Sequence, residues 1–269
     1  MNSINKNDEE HIYVHSVPIH GVFFDYDDVL YKAPDNQDDF HKLAAVRAVQ
    51  DQCPDMGTRQ LARLLEKGKE KGKGSLDIFV ERFDADADLL RADHYKHLIK
   101  LTEEFPSFFG EEESLYAEIA KLKIAGVSTH IITHGNPEWT EFTTDRGERK
   151  ISDFFKNRNY TTKDEMPNHR GKGTKEIYDR ALDKMCVDSD QELRGLGFAM
   201  VEDTMKNLKA AKEHGMMTIF INRKGLPADQ IADYVDLTVN SSKEAVSAIF
   251  MNNNAHEKMP LCGLPAPEV

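Results

Sequence analysis

The stretch Gly21–Tyr31, GVFFDYDDVLY, decides how the rest of the chain is read. Val22, Phe23 and Phe24 form a short apolar run, and three acids, Asp25, Asp27 and Asp28, follow within four positions. A run of apolar and aromatic residues stopped by acids predicts a short buried strand. Crowded carboxylates repel one another, and burying any of them is costly. A strand that ends in such a cluster therefore raises the question of what the acids do there.

Working outward, residues 1–16 read as a polar tail, and the core of the fold begins at 17–32. APDNQDD after Lys32 is turn-like. Four segments then place apolar residues at three- and four-residue spacing: DFHKLAAVRAVQDQC, TRQLARLLEKGKEKG, SLDIFVERF and ADLLRADHYKHLIKLTEEF. Residues 33–111 thus read as a helical insertion. From Glu112 the pattern alternates. SLYAEIAKLKIAG predicts a helix ending at Gly126, VSTHIIT a strand, TKEIYDRALDKM a helix and GFAMV a strand. TMKNLKAAKEHG predicts a helix, MMTIFI and DLTV strands, and SSKEAVSAIF a last helix. Such alternation over 112–252 predicts a doubly wound, Rossmann-like parallel sheet with helices on both faces. Residues 253–269 read as a loose tail.

Composition narrows the function classes. The chain has 269 residues, 39% hydrophobic and 30% charged, so it is expected to fold around a sizeable core. Its net charge of -12 argues against a general nucleic-acid or anionic-membrane binder, since both need a basic face. No apolar run approaches the roughly 20 residues of a membrane span, and MNSINKNDEEHIY lacks the apolar stretch of a signal peptide. Cys53, Cys186 and Cys262 are odd in number and far apart, as expected of reduced thiols in a cytoplasmic protein.

In sheets of this kind function gathers at the carboxyl ends of the strands. Asp25 and Asp27 follow the first strand, Thr133 with His134, Gly135 and Asn136 the strand VSTHIIT, and Glu202 with Asp203 the strand GFAMV. Four carboxylates and a hydroxyl converge on one rim. A divalent cation offsets such charge, and hard oxygen ligands suit Mg²⁺, which also brings phosphate. Thr133 and the small-residue amides after it make a phosphate cradle at a strand-to-helix turn. Lys172, just before a helix, is placed to reach the same rim.

The order of these motifs resembles the haloacid dehalogenase-like superfamily of phosphohydrolases. Asp25 and Asp27 match its Asp-x-Asp, Thr133 its second motif, Lys172 in KGTKEIY the third, and Glu202-Asp203 in VEDTMKNLKAAKEHGMM the fourth. The likeness runs over about residues 16–250 and points to the phosphoglycolate phosphatase and nucleotidase branch. It implies Asp25 as nucleophile, Asp27 as acid and base, and Thr133, His134, Gly135 and Lys172 around the phosphoryl group. It also implies Mg²⁺ held by Asp25, the main-chain carbonyl of Asp27, Asp203 and nearby Glu202. The insertion at 33–111 would be a cap that selects a small phosphorylated substrate. Phosphotransfer to a second alcohol, or a silent phosphate-binding protein of the same fold, are the alternatives. Four positions depart from the family pattern: Asp28-Val29 for Gly-Thr, Gly173 for Pro, and His134 for Asn.

Other patterns fail as sites. DADADLL lacks the central Gly and final Glu of a calcium loop, and neither GKGKGS nor GKGT has Walker spacing. His94 and His97 share a helix face without a third ligand and read as surface residues. Trp139 is open to either packing or substrate contact. LEKGKEKGKGS in the insertion reads as a solvated turn or as an anion-attracting loop.

Overall fold

The computed structural model describes residues 17–31, 37–70, 76–104, 113–145, 154–155, 160–166, 171–185 and 194–258. The expected tail at 1–16, residues 71–75 of the basic loop, Cys186, Cys262 and residues 259–269 lie outside the described residues. In chain order the elements are β1 (Gly21–Phe24), α1 (Gln37–Gln52), α2 (Thr58–Glu70), α3 (Asp77–Phe83), α4 (Ala87–Glu104) and α5 (Glu113–Ile124). Then come β2 (Ser128–Thr133), α6 (Pro137–Thr144), β3 (Tyr160–Thr162), α7 (Lys175–Lys184) and β4 (Phe198–Glu202). Last are α8 (Leu208–Glu213), β5 (Met217–Ile221), β6 (Leu237–Val239) and α9 (Ser242–Lys258). The chain divides into two compact units: Met1–Leu30, Glu113–Thr133 and Asp153–Val269 make one, Tyr31–Glu112 and His134–Ser152 the other.

The first unit holds a six-stranded sheet in the order β3-β2-β1-β4-β5-β6. Every pairing is parallel. The chain builds outward from β1 through β2 to β3, then returns to lay β4 against the other side of β1. Strand order reverses there, so the crevice outside β1 and β4 is where such a sheet binds ligands. All four residues of β1 are buried, as an inner parallel strand requires. Gly21 has a packing reason as well: a Cβ there would lie 2.4 Å from the Phe198 ring. On one face Phe23, Ile132, Met200 and Phe220 pack with Ile177, Tyr178 and Leu182 of α7 and Leu208 and Ala211 of α8. Phe24, Ile131, Val201 and Ile219 point to the opposite face by strand alternation. The helices α5 and α8 stop where expected, with Gly126 and Gly215 at φ 78° and 82°.

Two expectations change here. β3 has no counterpart in the sequence reading. The tail expected from residue 253 is helical to Lys258, because α9 continues through NNNAHEK. Asn252 is buried and donates to the Val17 carbonyl at 3.1 Å. Asn253 accepts from the Ile19 amide at 2.7 Å and donates to its carbonyl at 2.8 Å. These bonds tie the last helix to the residues leading into β1, and that explains why polar residues extend the helix.

The second unit is helical among its described residues. Ala45, Val46 and Val49 of α1, Leu61 and Leu65 of α2, Phe79 of α3 and Leu90 of α4 form one core. Ala44, Tyr95, Leu98, Leu101 and Trp139 form another. Trp139 is 1% exposed, so it is a packing residue. The unit takes in 134–152 as well as the expected insertion. His94 and His97 are half-buried rather than surface residues. His94 lies against His41, tilted by 30° with 5.4 Å between ring centroids, and His97 Nε2 lies 2.6 Å from Asp51 Oδ2. No described helix is long and apolar enough to cross a membrane.

Candidate active site

The register of the sheet places the acids. Gly21 pairs with Ser128 on one side and Phe198 on the other, so β1, β2 and β4 end at nearly the same level. The Asp25 amide continues the ladder by donating to the Val201 carbonyl at 2.9 Å. Asp25 and Glu202 therefore leave adjacent strands side by side. Asp25, Glu202 and Asp203 bring one carboxylate oxygen each within 4.8 Å of one another, the one such group of three among the described residues. The Asp27 side chain is half-buried and is not part of that group. The family likeness assigned its main-chain carbonyl, not its carboxylate, to the metal.

Lys172 enters from the turn before α7, where Thr174 bonds back to the Gly171 carbonyl through both amide and hydroxyl. It is 1% exposed, unlike its competitors in the sequence, Lys163 and Lys175. Its Nζ lies 2.5 Å from Asp25 Oδ1 and 2.9 Å from Glu202 Oε2. The Tyr26 amide donates to the same Asp25 Oδ1 at 2.6 Å, which fixes the rotation of that carboxylate. Thr133 is fully buried at the end of β2. His134 is half-buried and Gly135 buried, and both group with the helical unit, whose boundary falls at the peptide bond after Thr133.

Two carboxylates, Asp25 and Glu202, share one ammonium, with the Asp203 carboxylate close to both. Burial alone pulls the Lys172 ammonium down, but Asp25 and Glu202 together outweigh it and raise it above its ordinary value. Burial lifts the Glu202 carboxyl well above the carboxylate range, with the Asp25 charge adding and Lys172 opposing. Asp203 is raised by burial and then by Asp25. Burial, with Glu202 and Asp25, also raises the Tyr178 phenol, whose hydroxyl donates to the Asn207 carbonyl at 2.9 Å. The excess of negative charge, the oxygen donor set and the half-buried Asp203 at its edge fit a hard divalent cation.

One residue beside the acid cluster, Thr204, was not singled out from the sequence. The Thr204 amide donates to Glu202 Oε1 at 3.0 Å and its hydroxyl approaches Asp203 Oδ1 at 3.4 Å. A hydroxyl directly after the acid pair was the available signal. Asp28 stands at φ 58°, a left-handed conformation that few residues other than glycine adopt. The sequence already marks this position as a departure from the family's glycine.

Among curated proteins none matches the chain. Among solved structures, CbbY from Rhodobacter sphaeroides in complex with phosphate gives a TM-score of 0.58 at 20% identity, over 86% of this chain and 99% of that one. YfnB from Bacillus subtilis, described as a candidate HAD hydrolase and bound to magnesium, gives 0.53 at 17%, over 87% and 99%. The L-2-haloacid dehalogenase RSc1362 gives 0.53 at 17%, over 87% and 100%. At these identities the likeness is one of fold. The model of the haloacid dehalogenase-like hydrolases matches residues 19–215. That span is well over half of the chain, which therefore belongs to the haloacid dehalogenase-like hydrolase family.

Proposed function

We propose that the chain is a Mg²⁺-dependent phosphomonoester hydrolase that acts on a small phosphorylated metabolite through an aspartyl-phosphate. The observation that carries this reading is buried Lys172 between Asp25 and Glu202, with Asp203 completing a three-carboxylate cluster at the strand ends. A phosphate complex of CbbY and a magnesium complex of YfnB, both of this fold, agree with it. Asp27, two residues after Asp25, provides the second acid that the phosphatase reading calls for.

Asp25 attacks phosphorus through a carboxylate oxygen, and the bond from phosphorus to the leaving alkoxide breaks. Asp27 gives that alkoxide its proton, then takes one from the water that cleaves the aspartyl-phosphate and frees Asp25. Lys172 supplies positive charge where a carboxylate meets a phosphate dianion, and the Thr133 hydroxyl with the Gly135 amide orients the phosphoryl oxygens. A Mg²⁺ ion held by Asp25, Asp203, the Asp27 carbonyl and nearby Glu202 would further lower that repulsion. The helical segment between the first two motifs selects the substrate; a short linker in its place should change the ranking of substrates.

Phosphate release from a panel of phosphomonoesters should vanish with chelator and return with Mg²⁺. Asp25→Asn should lose turnover by roughly 10⁴-fold or more. Asp27→Asn should slow turnover roughly 10²–10⁴-fold, yet give a burst of p-nitrophenol and one extra phosphoryl group by intact mass. Equal release with and without chelator, or a burst from Asp25→Asn, defeats the reading.

A further inference from the structure

We infer that Tyr95, on α4 of the helical unit, is a positioning residue that sets the direction of the Gly135 amide. The inference rests on the phosphohydrolase reading, which gives that amide its use. The Tyr95 hydroxyl donates to the main-chain carbonyl of His134 at 3.2 Å, across 39 residues of sequence. The His134 carbonyl and the Gly135 N–H belong to one planar peptide unit. No cis peptide occurs among the described residues, so the two groups point to opposite sides of the chain. Holding the carbonyl toward Tyr95 therefore turns the Gly135 N–H the other way. Gly135 has no Cβ, so its flanking peptide has the widest range of orientations of any residue type. A glycine amide used as a phosphate donor needs a lock, and the hydroxyl is one.

The lock is itself held. Tyr95 is 8% exposed and shares a core with Ala44, Leu98, Leu101 and Trp139. Its ring centroid is 6.5 Å from that of Trp139. Trp139 is fixed in turn, because its amide donates to the Asn136 side chain at 2.8 Å. The Asn136 carbonyl accepts from the Thr140 amide at 3.0 Å and hydroxyl at 2.9 Å. The turn after Thr133 is thus anchored on its far side by the start of α6 and on its near side by Tyr95. A change in α4 can reach the phosphate turn through the Tyr95 hydrogen bond.

Tyr95→Phe keeps the ring and removes the hydroxyl. In the ligand-free protein, hydrogen exchange at the Gly135 amide should speed up roughly 3–10-fold, the worth of one ordinary hydrogen bond. Orthophosphate affinity in the presence of Mg²⁺ should weaken by a similar factor. KM for a phosphomonoester should rise likewise with kcat within about twofold, because a bond made equally to bound substrate and transition state affects KM alone. Leu98→Val loosens the same core without touching the hydroxyl and should leave orthophosphate affinity within about twofold. The inference fails if Tyr95→Phe alters neither Gly135 exchange nor orthophosphate affinity, or if Leu98→Val reproduces its effect. Wild-type protein that binds no orthophosphate overturns the phosphohydrolase reading and the use given to Gly135. In that case the exchange at Gly135 still decides whether Tyr95 holds the peptide.

Discussion

The helices of the second unit and the strand-end cluster of the first hold their charges in opposite ways. In the helical unit Lys42–Asp39, Arg91–Asp88 and Lys96–Asp93 pair three residues apart on a helix, and each has one partner more than half exposed. Such pairs are worth at most about 1 kcal/mol, since water screens them. In the sheet unit Lys172 is 2% exposed along its side chain and sits between Asp25 at 7% and Glu202 at 0%. Taking each ion out of water costs several kcal/mol, and mutual attraction recovers that only in good geometry. A packed apolar trio would fill the space at least as stably. Charge kept at such a cost points to chemistry, whereas charge on the outside of α4 needs no such explanation.

Substitutions can break this contrast. Lys172→Met leaves Asp25 and Glu202 facing each other without a cation, and should cost roughly 3–5 kcal/mol in urea unfolding at pH 7. A loss below about 1 kcal/mol would mean that the site behaves like the exposed pairs of the helices. Asp28→Gly should raise stability by about 0.5–1 kcal/mol, the relief of left-handed strain less the entropy of glycine. A lower melting midpoint for this variant would show that the contacts of the Asp28 side chain outweigh its strain.

A third pair lies between the two extremes. Asp236 is half-buried, which by itself raises its carboxyl; bonds from Lys212 and Thr218 outweigh that and hold it below its ordinary value. Its folded pKa is depressed, so its contribution is present above the unfolded value of about 3.9 and is lost as pH falls through the folded one. The pair should be worth under about 1 kcal/mol. Wild type should exceed Asp236→Asn in urea midpoint from pH 5 to 7, with the gap closing below about pH 4. A gap that widens in acid would reverse the sign. Lys96→Ala should change stability by no more than about 0.5 kcal/mol at any of these pH values, and a larger loss would remove the distinction between the units.

Much of this was readable in the chain because local rules and tertiary structure agree there. GVFF and GFAMV are apolar runs ended by acids, and they are β1 and β4. Gly126 and Gly215 end helices where the pattern stops. Asp25, Glu202 and Asp203 are found together because parallel strands in register bring their ends to one level. What escaped depends on partners far along the chain. YTT of β3 is three residues long, too short for a period to show, and exists by pairing with Ile131–Thr133. NNNAHEK has poor helix formers, yet α9 continues because Asn252 and Asn253 meet Val17 and Ile19. Lys172 stood among other lysines, and only burial between two carboxylates separates it from them. The bond from Tyr95 to His134 leaves no local trace in either segment.

The pairing of β1 has a consequence for how the chain is made. Gly21 is made well before its strand partners Ser128 and Phe198, and the asparagines that hold its lead-in come later still, at 252 and 253. At roughly 5–20 residues per second, β1 waits about five to twenty seconds for β2 and longer for β4. Loop closure over such separations is slow even once the partners exist. The helices between have local contacts and can form during that wait. The apolar strand β1 thus waits for its sheet partners, and Asp25 acquires its surroundings only once β4 and Glu202 have followed it out.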